Sequence, residues 1–300
     1  MAVAMMLAAC EKPIIEAENE GMDGNVVLTF EPTVRDRAAM QSRQTEREKT
    51  EQEAKKRMTR ADAAQYFEKL NVQLFDENGV KVFEKVKTQT ATDEDFCKMS
   101  LKLTDGTYTV VAVGHSSKNS ATIKSPEVVQ FTASEGEKLT DTFCHCSTIN
   151  VGGKTTDHTL PMYRVGAMIQ FCLTDTKVPE NFAYFLMEYS GGSANFNPTT
   201  LQGITKSNQS EKRIRNQVNV HQAYTFPYMA TSCKLKMTVS GLDSEGVVIR
   251  KRVFEDVPVT RNKITTYTGK FFEDGDGKFT LSDFGFVVHT DWDGEEDYQF

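Results

Sequence analysis

The 300-residue sequence reads as an all-β chain, two β-sandwich domains in series. Three observations carry that prediction. Short segments with an apolar residue at every second position recur along the chain, the period of a half-buried strand. Acidic turns ending in glycine separate several of them. The one long stretch with helical propensity has no apolar stripe to bury. Two domains are expected at this length, and nineteen Phe residues supply material for two cores.

The chain opens with nine uncharged residues, Met1 to Ala9, followed by Cys10 and then Glu11-Lys12-Pro13. Nine residues are too few to span a bilayer as a helix, which takes about 20. They suit the apolar region of a secretory signal. Leu7-Ala8-Ala9-Cys10 has the form of a lipobox. Small side chains fit the backbone into a signal peptidase, and only a thiol can take a thioether-linked diacylglycerol. Cys10 is therefore the expected lipid site, carrying diacylglycerol and an N-acyl chain, with residues 1–9 as a signal peptide shortened at its front, because no Lys or Arg precedes the apolar run. Residues 10–24 are acidic and Gly-containing, a tether.

The first domain is expected over residues 25–150. "NVVLTFEP" (25–32) reads as its first strand, closed by Pro32. Residues 33–65 are dense in charges of both signs and read as a solvated helix or a mobile insertion. From Leu70 the pattern turns to strands. Leu70, Val72 and Leu74 alternate, and Asp76-Glu77-Asn78-Gly79 supplies a hairpin turn. Met99, Leu101 and Leu103 alternate, Asp105-Gly106 turns, and Tyr108, Val110 and Ala112 return on one face. "PEVVQFTA" is a further strand. "CHCSTINVGGKTTDHT" reads as a loop that carries the domain boundary, near residue 150.

The second domain is expected over residues 151–300. Val165, Ala167, Ile169, Phe171 and Leu173 alternate. "NFAYFLMEYSGG" follows. Residues 190–217, rich in Gly, Ser, Asn and Thr, read as a long loop. The segments "AYTFPYMA", "CKLKMTVSG", "GVVIRKRVF", "NKITTYTGKFF" and "KFTLSDFGFVVHTDW" read as strands. "LNVQLFDENGVKV" and "LKMTVSGLDSEGVVI" repeat one scheme of strand, acidic-glycine turn and strand.

A net charge of -7 argues against nucleic acid as a partner. Apart from Cys10, the cysteines are Cys97, Cys144, Cys146, Cys172 and Cys233, an odd number. An exported chain permits disulfides. Cys97 with Cys144 or Cys146, and Cys172 with Cys233, are candidate pairs, with buried thiols as the alternative. Cys144-His145-Cys146 invites a metal reading, yet paired zinc cysteines usually stand at least two residues apart. Asp274 and Asp276 open like a calcium loop, but Lys278 and Gly285 hold its fifth and twelfth positions, so a turn is expected and no metal site. The terminal "DWDGEEDYQF" reads as a solvated acidic tail. No nucleophile elbow, zincin helix, P-loop or dinucleotide turn is present, and the chain reads as a non-enzyme.

In their order and spacing, the lipobox, "LNVQLFDENG", "LKLTDGTYTVVAVGH", "YRVGAMIQFCLTDTKVPENF" and "VPVTRNKITTYTGKFF" resemble the FimB-type fimbrial anchor subunits, minor components of type V fimbriae of Gram-negative bacteria. The resemblance covers most of residues 25–300, omitting the charged insertion. It implies two transthyretin-like sandwiches in a lipoprotein of the outer membrane. Such a protein sits at the fimbrial base or as a minor subunit, holds the shaft, influences its length and serves cell adhesion. The expected partners are fimbrial shaft subunits, joined by strand addition, and the membrane, reached only through the lipid at Cys10. Asn262, Thr265, Gly269 and Phe271 match the family's late motif in a structural capacity. Shaft subunits are matured after an arginine, which makes Arg60 a candidate cut. A cut there would part Cys10 from both domains unless the 25–32 strand stayed bound. The alternative reading is a surface lipoprotein that binds glycans, with Tyr184, Tyr189, Tyr224 and Tyr228 as stacking candidates.

Overall fold

A computed structural model describes residues 25–33, 66–90, 96–118, 121–131, 139–217, 219–273 and 285–289. Cys10, Arg60, the insertion beyond Thr33, Asp274, Asp276 and the acidic tail lie outside the described residues. All regular secondary structure among the described residues is β.

The first half supplies β1 (Val26–Thr33), β2 (Lys69–Phe75), β3 (Lys81–Thr88), β4 (Lys98–Leu101), β5 (Gly106–His115), β6 (Ala121–Ser125), β7 (Val128–Phe131), β8 (Thr142–Val151) and β9 (Thr156–Arg164). Seven of these form one sheet in the order β3-β2-β5-β8-β9-β1-β4. One core cluster takes Val26, Leu28 and Phe30 from β1, Leu70, Val72 and Leu74 from β2, Met99 and Leu101 from β4, and Tyr108, Val110 and Ala112 from β5. A single sheet can enclose such a cluster only by curling its two ends toward each other. The edges do meet: Lys87 Nζ on β3 donates to the Lys98 carbonyl on β4 at 3.2 Å.

The second half supplies β10 (Ala167–Leu173), β11 (Tyr184–Ser190), β12 (Asn195–Asn197), β13 (Gln202–Gly203), β14 (Gln209–Ile214), β15 (Val220–Thr225), β16 (Ser232–Leu242), β17 (Val248–Thr260), β18 (Ile264–Gly269) and β19 (Gly285–His289). Two four-stranded sheets, β15-β10-β18-β19 and β14-β11-β16-β17, face each other. Between them lie Ile169, Phe171, Phe185, Met187, Met237, Val239, Phe254 and Tyr267. A fourth sheet, β13-β12-β7-β6, mixes strands of both halves. It covers the outer face of the first sheet, where Val111, Val113 and Cys144 pack with Ile123, Val129, Phe196, Leu201 and Phe226.

The two hairpin turns share one construction. Asp76 Oδ1 accepts the N–H groups of Asn78 and Val80, and Gly79 takes φ 74°. Asp243 Oδ1 accepts those of Glu245 and Val247, and Gly246 takes φ 86°. The carboxylate replaces missing backbone partners, and glycine alone enters the left-handed region without strain.

Two expectations need correction. "CHCSTINVGGKTTDHT" is strand except at residues 152–155, which turn between two strands. It forms β8, paired with β5 over ten residues, and the start of β9. The domain boundary expected near residue 150 therefore falls between two strands of one sheet. Residues 190–217 are not one long loop, since β12, β13 and β14 lie in them.

Candidate assembly interface

β1 is held on both sides. It runs parallel to β9 over eight positions, Val26↔Thr156 to Thr33↔Tyr163, and antiparallel to β4 from Val26↔Leu101 to Thr29↔Lys98. Val26 and Leu28 are 0% exposed and Phe30 1%. An alternating apolar strand with both edges paired is an interior member of its sheet, not a loose leader.

The junction between the two halves is two residues long, Val165 and Gly166, between β9 and β10. It is braced from three directions. Arg164 is buried, and its Nε donates to both Asp141 carboxylate oxygens at 2.8 and 3.0 Å. Its Nη1 donates to Asn262 Oδ1 at 2.9 Å. Its guanidinium also lies 4.8 Å from the Phe143 ring centroid. Asp141 precedes β8 in the first half, whereas Asn262 sits in the turn between β17 and β18. Asn262 takes φ 59° and donates its N–H to the Gly166 carbonyl at 2.9 Å. One guanidinium thus ties both sandwiches to their connection.

The other late-motif residues are also structural. Thr265 Oγ1 donates to the Pro258 carbonyl at 2.6 Å. The Gly269 carbonyl accepts the Thr174 N–H, and the Phe271 carbonyl accepts Arg252 Nε at 2.8 Å. The Asp175 carboxylate collects the N–H groups of Phe271, Phe272 and Glu273 at 2.7, 2.6 and 2.8 Å. "LTDT" and "GKFFE" are therefore two sides of one staple. Hydrogen bonds from Thr176 and then Lys270 hold the Glu273 carboxyl at about 2.

β15 is an edge strand without a single charged residue, the kind that invites foreign strands. Its carbonyls are instead capped by side chains. Asn216 Nδ2 donates to Val220 O at 2.7 Å, Arg213 Nε to Gln222 O at 2.6 Å, and the Tyr189 hydroxyl to Tyr224 O at 2.7 Å. Glu211, 0% exposed, aligns the last two caps. It accepts from the Tyr189 hydroxyl at 2.5 Å and pairs with Arg213. Burial raises the Glu211 pKa above its usual range, against the pull of Arg213. Sequence reasoning missed this network because the core-facing positions of β14 are Gln209, Glu211 and Arg213, which read as loop.

The five cysteines among the described residues are thiols. Cys97 packs against the interior cluster of the first sheet, whereas Cys144 and Cys146 face the opposite side. The structure does not bring that candidate pair together. Cys172 and Cys233 both border the second core, on β10 and β16 of opposite sheets. His145 points away from Cys144 and Cys146, as strand alternation requires. Its Nδ1 lies 2.8 Å from the Pro161 carbonyl and its Nε2 2.7 Å from Ser147 Oγ. Among the described residues no group of three or more His, Cys, Asp or Glu is placed to hold a metal ion.

The candidate stacking tyrosines are partly spoken for. Tyr189 is buried, Lys212 Nζ sits 3.9 Å over the Tyr184 ring, and Lys206 Nζ 5.2 Å over that of Tyr228. The Tyr224 hydroxyl donates to Gln222 Oε1 at 3.2 Å.

The sequence matches the family "Fimbrillin-A associated anchor proteins Mfa1 and Mfa2" over residues 23–281. The chain belongs to this family of fimbrial anchor proteins. Among solved structures, it is similar to an adhesin candidate from Bacteroides thetaiotaomicron VPI-5482, at 14% identity over 84% of this chain and 93% of that one, with TM-score 0.45. It is similar to polysaccharide-binding candidates from the same organism, at 10% identity over 82% and 91%, with TM-score 0.47. It is also similar to the fimbrial anchor protein Mfa2 from Porphyromonas gingivalis, at 13% identity over 89% and 95%, with TM-score 0.42. No curated protein matches. Membership in the anchor family makes the chain a fimbria-associated protein.

Proposed function

We propose that this chain is a lipoprotein subunit of a fimbrium that anchors the shaft to the outer membrane through lipid on Cys10 and meets shaft subunits by strand addition. The observation that carries the reading is β1. The first described strand after the lipobox segment is an interior strand of the first sheet, so a lipid on Cys10 would be tied to a packed core rather than to a loose arm. Several acyl chains on one cysteine give stable attachment where one gives only reversible binding. A cut at Arg60 would leave β1 held by its ladders and buried side chains alone, and an anchor works best with that site uncut. The two functional units divide at Val165–Gly166.

Strand addition needs an open edge. The β15 edge is capped. β17 is interrupted by register shifts, by Asp256 at φ 56° and by Pro258, all of which discourage pairing. At the seam between β3 and β4 the Lys87 side chain reaches the Lys98 carbonyl, and Val86 on β3 is 54% exposed. We place the incoming strand at that seam. A photoreactive residue at Val86 is expected to crosslink to a shaft subunit on fimbriated cells, and one at Val253 on β17 is not. Crosslinking from Val253 alone would move the acceptor edge to the second sandwich.

The glycan-binding alternative draws no support from the four tyrosines, whose ring faces and hydroxyls are largely engaged within the protein.

A further inference from the structure

Each half of the molecule contains one long parallel ladder. β1 runs parallel to β9, and β10 runs parallel to β18 from Met168↔Ile264 to Leu173↔Gly269. The strands β9 and β10 are consecutive, so a single path joins the two ladders. It enters at the start of β1, crosses to β9, passes Val165 and Gly166 into β10, and crosses to the end of β18.

The direction of the strands decides how tension acts on this path. In a parallel pair, the start of one strand and the end of its partner lie at opposite ends of the ladder. Tension between them slides the strands past each other and loads all the hydrogen bonds together. In an antiparallel pair joined at adjacent ends, tension opens the bonds one at a time. Pulling on the start of β1 against the end of β9 is the first case, and pulling on the start of β10 against the end of β18 is the first case again. Sliding β1 would also drag Val26, Leu28 and Phe30 out of closely packed core positions.

The junction is built to carry such a force without opening. The Val165 N–H donates to the Thr142 carbonyl at 2.9 Å, and the Gly166 carbonyl accepts the Asn262 N–H at 2.9 Å. Arg164, at the end of β9, holds Asp141 and Asn262 at once. The first residues to feel tension passing from one sandwich to the other are thus bonded to both.

The geometry points to a mechanical device: two shear ladders in series, clamped at Arg164, that resist tension applied between the N-terminal end of the chain and the far end of the second sandwich. Its value to the cell rests on the anchor reading, since a lipid-held subunit is pulled from its N-terminal side whenever the shaft is under load. The mechanical property itself belongs to the topology.

Force spectroscopy on the full chain tests it with two handle placements. Both use a handle at the N-terminus. The second handle is an azide-bearing residue in place of Lys270, just beyond β18, or in place of Lys102, just beyond β4. Because Val26 faces Leu101 in the antiparallel β1–β4 pair, the Lys102 placement peels that ladder from one end. Forced rupture reads the barrier to unfolding, and the expected first-rupture force is roughly twice as high for the Lys270 placement as for the Lys102 placement. Equal forces, or a lower force with Lys270, would overturn the inference. That result would leave the anchor reading standing, because retention of fimbriae through Cys10 is read on cells and does not depend on it.

Discussion

Replacing Arg164 with Met is expected to remove about 3–5 kcal/mol of stability, the usual cost of deleting one partner of a buried ion pair. The side chain is 1% exposed and Asp141 18%. Met fills much of the same volume, so the loss comes from charge and hydrogen bonding rather than from a cavity. The Asp141 carboxylate would lose the two bonds from Arg164 Nε, and Asn262 Oδ1 the bond from Arg164 Nη1. At the few degrees per kcal/mol shown by domains of this size, Tm falls by about 10 °C. Because Arg164 also couples the sandwiches, the variant should unfold in two calorimetric steps where the parent unfolds in one. Adding Asp141→Asn should recover part of the loss, since the carboxylate charge that faced Arg164 is then gone. A loss below about 1 kcal/mol with a single transition would show that the small sheet and the apolar packing between the halves suffice without the clamp.

Acid should loosen both sandwiches through one histidine in each. His115, at the end of β5, is buried and stands edge-to-face with Phe131 at 5.2 Å. His221, on β15, is buried and stands edge-to-face with Phe185 at 4.7 Å. Burial lowers the pKa of each from 6.5 to about 4, helped by Lys69 at His115 and by Arg213 at His221. The unfolded chain therefore takes up these protons first as pH falls. The stabilisation is complete above about 6.5, is lost between 6.5 and about 4, and changes no further below that. Each imidazole contributes about 3 kcal/mol across the window. Glu211 acts in the opposite sense, because burial raises its pKa in the folded state, and it offsets part of the loss. Urea unfolding at pH 7 and pH 4.5 measures the sum. His115→Gln with His221→Phe should flatten the profile. An unchanged profile in that double variant would assign the acid sensitivity to carboxylates instead.

The hairpins were legible because their chemistry is local. Leu70, Val72 and Leu74 alternate within one strand, and Asp76 and Asp243 complete turns within four residues of themselves. β8 and β14 were not legible, for a different physical reason. Where β8 parts from β9, its inward positions are His145 and Ser147, and the core-facing positions of β14 are Gln209 and Glu211. Their burial is offset by hydrogen bonds to the Pro161 carbonyl, to Tyr189 and to Arg213, which no hydropathy period records. The parallel partnership of β1 with β9 joins residues far apart in the chain, and nothing in "NVVLTFEP" names its neighbour. Arg164 is equally silent in the sequence: a single arginine after an alternating strand, with Asp141 and Asn262 brought to it only by the fold. The late motif around Asn262 and Phe271 was read as structural, and the bonds of Asn262, Thr265 and Phe271 give the reason. The lipid proposed on Cys10 rests on the local chemical signal "LAAC" alone, and Cys10 lies outside the described residues.

The central claim is that lipid on Cys10 holds the fimbria to the cell. The most direct test compares fimbriae on washed cells with fimbriae in the medium for the parent and for Cys10→Ala. The account predicts that shaft material moves into the medium while its total amount stays similar. Fimbriae that remain on the washed cells, with the variant protein made and exported, would contradict it and assign the anchoring to another component.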